Sequence, residues 1–276
     1  MINYIYNIPH AIGSNVLNLF AHIGKISIFF YEIIFCTFTL PLYFKTFFNQ
    51  IIKIGYNSLP VIGLTAFFTG SVLALQIYVG GSRFNAESIV ASIVALGITR
   101  ELGPVIAGLM LAGRVSASIS AEIATMKVTE QLDALTTLST NPIRYLVVPR
   151  VLAAMLTLPV LVLIADIIGI MGGFVVATQS LGFIEQSYIK NTFDIIQLND
   201  VISGLIKAAV FGFIVAFMGC YHGYNSTGGA QGVGRSTTKA VVSASILILA
   251  SNYILTSLVF NSLKYDRLNI KNREVT

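Results

Sequence analysis

Apolar residues run unbroken along most of this chain, and charge is confined to short interruptions. Ile54–Ser82, Ala208–Gly234 and Ala240–Leu263 contain no Asp, Glu, Lys or Arg. Ser88–Gly113 is broken only by Arg100-Glu101, and Val151–Ile184 only by Asp166. A helix crosses a hydrocarbon core about 30 Å thick with ~20 mostly apolar residues, and each run is long enough. The pattern predicts five transmembrane helices, near Ile54–Tyr78, Ile89–Leu111, Leu152–Thr178, Val201–Tyr221 and Val241–Leu263. The fold class is therefore an all-α membrane protein. Three segments follow: residues 1–53, a membrane body at 54–263, and a polar tail at 264–276.

The first 53 residues are aromatic and amphipathic. Ile26–Phe44 is apolar but carries Glu32 and ends near Lys45 and Lys53. It fits either a further span or a helix lying in the membrane interface with its cations among the headgroups. The interfacial, re-entrant reading is the favoured one.

Composition agrees. Of 276 residues, 55% are hydrophobic and 11% charged, whereas soluble domains carry roughly a quarter charged residues. The formal charge of +5 does not mark a nucleic-acid binder, because the cations lie beside span ends, where positive-inside orientation places them. With the N-terminus inside, the inner side holds Lys25, Lys45, Lys53, Arg114, Lys127, Arg144, Arg150, Arg235 and Lys239. The outer side holds Arg83, Lys190 and the tail cations Lys264, Arg267, Lys271 and Arg273. Those tail cations pull the other way, and a spanning Ile26–Phe44 would return both termini to one side. No positive n-region precedes the first apolar stretch, so no signal peptide is expected. Cys36 and Cys220 sit apart in apolar sequence, and His10, His22 and His222 lack ligand spacing, so neither a disulfide nor a metal is expected.

Gly229–Ser236 reads GAQGVGRS, one residue from a phosphate-binding P-loop, with Arg235 at the lysine position. A working P-loop follows a β-strand and opens a helix, whereas Ala208–Tyr221 reads as a membrane span. Gly228, Gly229, Gly232 and Gly234 more simply make a turn, and Ser236, Thr237 and Thr238 are expected to cap the next helix. No ATPase site is expected in this chain.

Arg114–Arg150 is the most polar stretch of the body. Within it, Ala121–Leu138 is predicted as one amphipathic helix, with Glu130 and Asp133 on one face and Leu132, Leu135 and Leu138 on another. Asn141-Pro142 ends it. Such a helix either receives force from a soluble partner's groove or lies solvated on the membrane.

Charges within the spans carry the candidate chemistry. A charge at helix centre costs about 2.5–3.5 kcal/mol on insertion scales and usually faces a partner or a polar cavity. Arg100 and Glu101 point about 100° apart on a helix, so they do not fully satisfy each other. With Lys207 they make a candidate pocket for a phosphate headgroup: Arg100 and Lys207 attract it and Glu101 orients it. The competing reading is an ion pair that ties spans together, and this is preferred for Asp166, a candidate partner of Lys207. Apolar walls are expected from Leu73, Leu75 and Tyr78 of span one and from span five. Small residues also recur at packing intervals, at Gly169 and Gly173 and along Ala112, Ser116, Ser120 and Ala124. They suit either intrachain packing or a dimer face.

Four segments together carry a resemblance: RELGPVIAGLMLAGRVSASISAEIATMKVTEQLDAL, NPIRYLVVPRVLA, LIADIIGIMGGF and GGAQGVGRSTTKAVV. From about Ile54 to Leu263 the chain resembles the MlaE (YrbE) permeases, membrane subunits of MCE-associated ABC transporters of phospholipid. The resemblance implies one interfacial helix plus five spans in the bacterial inner membrane. It further implies a homodimer on a pair of separate ATPases, which hold ATP and Mg, and a hexameric periplasmic MCE protein outside. Its role would be lipid traffic between the inner and outer membranes, in either direction, and outer-membrane lipid asymmetry. Glu122, Lys127, Glu130, Gln131 and Asp133 then fall in the segment corresponding to the cytoplasmic coupling helix, and Thr227–Arg235 on the same side. Arg100, Glu101, Lys207, Leu75 and Tyr78 become the expected substrate-binding residues. An ATP-independent secondary transporter and a membrane scaffold are the alternatives.

Overall fold

A computed structural model of the chain describes residues 2–39, 43–81 and 89–273. Ser82–Ser88, including Arg83, and residues 274–276 of the tail lie outside the described residues. Regular structure among the described residues is entirely helical. Helix α1 covers Ile2–Phe38. Helix α2 (Phe44–Gly55) runs through a 3₁₀ turn into α3 (Leu59–Gly81), and together they make the first of five helices long and apolar enough to cross a membrane. The second, Val90–Val128, is α4 (Val90–Gly97), α5 (Gly103–Leu111) and α6 (Ala117–Val128), joined by π-helical turns at Ile98–Leu102 and Ala112–Ser116. After the short α7 (Gln131–Thr137), a π-turn at Ile143–Val147 opens α8 (Val148–Gln179). Then come α9 (Glu185–Ile195), α10 (Leu198–Tyr224) and α11 (Gly229–Arg273).

The five spans stand where the apolar runs put them, but several ends move. The boundary expected at 53/54 falls inside the continuous Phe44–Gly81 helix, and residues 264–273 of the polar tail continue α11 as helix. Helix α11 also begins at Gly229, so Ser236, Thr237 and Thr238 are interior positions rather than caps. Their hydroxyls bond back to Val233 and Gly234 carbonyls. Most of the P-loop look-alike is therefore helix, with the chain reversing just before it at positive-φ Gly228. The expected single helix Ala121–Leu138 breaks at Thr129-Glu130, where Glu130 adopts φ 59°, a left-handed conformation that no glycine signals in the sequence.

Helices α8 and α10 form the centre, with Leu158, Leu161 and Val162 of one and Phe211, Val215 and Ala216 of the other fully buried. Their neighbours approach through small residues. A Cβ on Gly70 would sit 1.8 Å from the Gly169 carbonyl oxygen, and one on Gly172 2.2 Å from that of Phe67. Glycines here let α3 and α8 backbones touch, a major source of association where lipid removes the hydrophobic drive between helices. Gly219 and Gly223 likewise meet Ser116 and Ser120. Both small-residue stripes are thus used within the chain.

Helix α1 buries Phe29, Ile33 and Cys36 on one face. Phe29 packs against Phe217, Tyr221 and Tyr224 of α10 at ring-centroid separations of 5.7–5.9 Å. Its other face exposes Ile28, Tyr31, Phe35 and Phe38. Helix α11 buries the stripe Ala240, Ala244 and Ile248, and leaves Ile246, Tyr253 and Ile254 outward.

Candidate functional site

Two groups of charge stand at opposite ends of the bundle. The first lies at the α9 end, in the turn Ile98–Leu102. Pro104 has no N–H to give the carbonyl four residues before it, so Arg100 O loses its usual helical partner. Lys207 Nζ of α10 supplies a donor to that carbonyl at 3.0 Å. The same ammonium bonds Glu101 Oε1 at 2.7 Å and Thr256 Oγ1 of α11 at 2.8 Å, so all three of its protons are used. Thr256 donates to Glu101 at 3.1 Å, and Asn252 Nδ2 reaches Glu101 Oε2 at 3.2 Å. Arg100 turns the other way, with Nε 2.9 Å from Asp200 Oδ1. Asp200 is held in a capping box with Gln197 at the start of α10.

The burial is asymmetric. The Lys207 side chain is 4% exposed, while those of Arg100 and Glu101 are each 40% exposed. Among the described residues Asp200 is the only partner of the Arg100 guanidinium, which presents five donors in a planar fork. The cluster therefore holds four charges in two pairs, Arg100–Asp200 and Lys207–Glu101, and leaves the Arg100 fork with unused donors.

Arg100, Glu101 and Lys207 are brought together as expected, but Asp166 is not Lys207's partner. Asp166 sits on α8 against Gly103, where a Cβ would come within 2.0 Å of Oδ1, and it makes no hydrogen bond among the described residues. Lys207 approaches from α10 and is already saturated by Glu101, Thr256 and the Arg100 carbonyl. Leu75 and Tyr78 stand elsewhere. Leu75 is exposed on α3, and the Tyr78 ring packs at 5.7 Å on Phe183, with Leu73 and Val94 nearby. The partners Asp200, Asn252 and Thr256 were missed. The last two had a signal, being polar residues at i, i+4 in an uncharged span.

The second group lies at the α7 end. Glu122 of α6 is clamped between Lys53 of α2, at 2.9 Å, and buried Arg150 of α8, at 3.0 Å. Arg150 also bonds the Leu146 carbonyl at 2.7 Å. Lys127 Nζ donates to the Tyr224 carbonyl at 2.6 Å and lies 5.8 Å from that ring's centroid. Arg114 bonds Ser58, and Arg144 bonds Thr39 at 2.6 Å. Five of the cations read as inner therefore gather at one end. Of the expected coupling residues, Glu122 and Lys127 are internal braces. Glu130, Gln131 and Asp133 are exposed on and just before α7, whose Leu132 is buried beneath.

Such a polytopic bundle, with polar chemistry held inside its spans and a charged tip at one end, has the build of a membrane permease. Residues 47–258 match the permease MlaE family model, and the chain belongs to the MlaE permease family. It is 54% identical over 256 residues to a probable ABC transporter permease protein of Rickettsia conorii, covering 93% of this chain and 99% of that one. A probable ABC transporter permease protein of Synechocystis is 41% identical over 212 residues, 77% of this chain and 81% of its own. The intermembrane phospholipid transport system permease protein MlaE of Haemophilus influenzae is 33% identical over 259 residues, 94% of this chain and 99% of its own. Family and spans together make this a multi-pass protein of the bacterial inner membrane.

Proposed function

We propose that this chain is the permease subunit of an ABC transporter that moves glycerophospholipid between the inner membrane and a periplasmic MCE protein. The observation that carries the reading is the Arg100–Glu101–Lys207 cluster, a half-exposed guanidinium and carboxylate braced inside apolar spans. Intramembrane ions of this kind are costly and mark substrate paths. Arg100 takes the phosphate, Lys207 holds Glu101 and the turn in place, and Glu101 orients a cationic headgroup where one is present. The lipid tails follow the apolar spans around the cluster.

The relatives' names support an ATPase partner and a phospholipid cargo. The exposed residues Glu130, Gln131 and Asp133 are the contact for that ATPase, which carries the ATP and Mg. Closure of the ATPase pair pushes α7, and α6 passes the push upward because Glu122 ties it to α2 and α8. Two copies of the chain share the transport path, and helix α1 lies along the membrane interface at the ATPase side.

The test is affinity purification of the tagged chain in mild detergent, with mass spectrometry of the proteins and lipids that accompany it. Expected are an ATPase with a Walker motif, an MCE protein and phospholipid. Recovery of the chain alone, with neither ATPase nor lipid, would replace this reading by a secondary transporter or a scaffold. Glu130→Lys is expected to weaken ATPase association and leave bound lipid intact.

A further inference from the structure

A cavity of about 490 Å³ opens between α8 and α9, beside the Arg100–Asp200 pair, whose chain neighbours Thr99 and Val201 belong to its lining. Its walls are almost wholly apolar and include Leu163, Ile170, Phe174 and Ile196. That volume falls in the ~300–1,000 Å³ range of small-molecule sites. Two polar groups on its lining lack partners. Asp166 is 6% exposed and its Oδ1 has no hydrogen bond, and Tyr188 is 3% exposed with an equally unbonded hydroxyl. Buried polar groups are nearly always satisfied, and an orphan carboxyl inside a membrane span needs a reason. Structural ion pairing is not that reason, since Lys207 bonds elsewhere.

The cavity's chemistry differs from that of the cluster. Among the described residues its lining contains no Lys, Arg or His, so nothing there compensates a phosphate. Its rim, at Ile167, Met171 and Phe193, is exposed and apolar. A rim of that kind faces lipid rather than water, so a ligand enters sideways from the membrane. Gly173 adjoins the Tyr188 hydroxyl, seven positions along α8 from Asp166, which puts the two polar groups about 10 Å apart at helical rise. Burial pushes the Tyr188 phenol up to about 12, so it stays a neutral donor.

We propose that this cavity is a lateral site for a phosphate-free, single-chain amphiphile, its hydroxyl or ammonium head on Asp166 and its chain leaving over Ile167 and Met171 into the membrane. The site adjoins the charged cluster at Thr99 and Val201, but it does not rest on the phospholipid reading, because its lining, among the described residues, carries no cation. An ammonium and a hydroxyl share the property Asp166 requires, a hydrogen-bond donor carried on hydrocarbon.

The experiment places the full chain in lipid nanodiscs and photolabels it with diazirine-bearing hexadecanol, hexadecylamine and hexadecyl phosphate. Labelling by the alcohol or the amine, competed by its unlabelled parent and mapped to Ile167, Met171 or Phe193, is the expected result. An amine preference identifies an ionised carboxylate, an alcohol preference a neutral one. Asp166→Leu is expected to lower labelling about tenfold, the worth of one hydrogen bond to a group of this kind. Met171→Trp, at the exposed rim and outside the core, is expected to block it by filling the mouth. Equal labelling by the phosphate probe, or labelling indifferent to both substitutions, would show ordinary lipid contact and overturn the proposal.

Discussion

The two charged groups of this molecule each rest on a buried cation, but they share their charges differently. At the α7 end the acid, Glu122, is the centre, and cations from α2 and α8 close on it from both sides. At the α9 end Lys207 is buried just as Arg150 is at the other, Asp200 is buried too, and the groups left partly in the open are Arg100 and Glu101. The first arrangement consumes its charges in holding helices together. The second sets two buried charges, Lys207 and Asp200, behind two partly exposed ones, Glu101 and Arg100. The two ends thus differ less in composition or burial than in how charge is shared: one acid between two cations at the α7 end, two separate pairs at the α9 end.

Substitutions can break this contrast, and the largest effect is expected at a glycine. Gly204→Leu would set a Cβ 2.5 Å from the Thr99 carbonyl oxygen, one residue from Arg100. Forcing α10 off the turn is expected to cost about 2–3 kcal/mol by overpacking and to abolish lipid retention, seen as a lower unfolding midpoint and lipid-free protein. Next come the two buried cations. Removing one partner of a fully buried pair costs about 3–5 kcal/mol, and the partial exposure of the partner acids reduces that to about 2. Arg150→Met and Lys207→Met are expected to lower stability alike, but only Lys207→Met should also lose bound phospholipid. Equal lipid loss in both would erase the distinction. The smallest effect belongs to Lys53→Ala, whose half-exposed pair with Glu122 is worth no more than about 0.5 kcal/mol, readable by denaturation in detergent.

Much of this was legible in the sequence because lipid makes simple demands. A span must be apolar for its whole length, so the five spans and the exceptional status of Arg100, Glu101 and Lys207 could be read directly. The small residues at Gly169, Gly173, Ser116 and Ser120 announced close helix contacts, though only the fold assigns them to neighbours within the chain. What stayed hidden depends on tertiary placement. Nothing local marks Glu130 for a left-handed conformation, so α6 and α7 read as one helix. Asp166 read as a partner for Lys207 because both are lone charges in spans. The turn at Ile98–Leu102 instead hands Lys207 a carbonyl and a carboxylate, and leaves Asp166 on another face. The clamp on Glu122 joins residues from three helices with no common spacing.

The most direct test measures bound phospholipid and ATPase association side by side, in the complex purified with wild-type chain, with Arg100→Ala/Glu101→Ala, and with Glu130→Lys. The expected result is a crossed pattern: the double variant keeps its ATPase and loses its lipid, and Glu130→Lys keeps its lipid and loses its ATPase. Lipid retained in full by Arg100→Ala/Glu101→Ala would contradict the assignment of that cluster as the headgroup site.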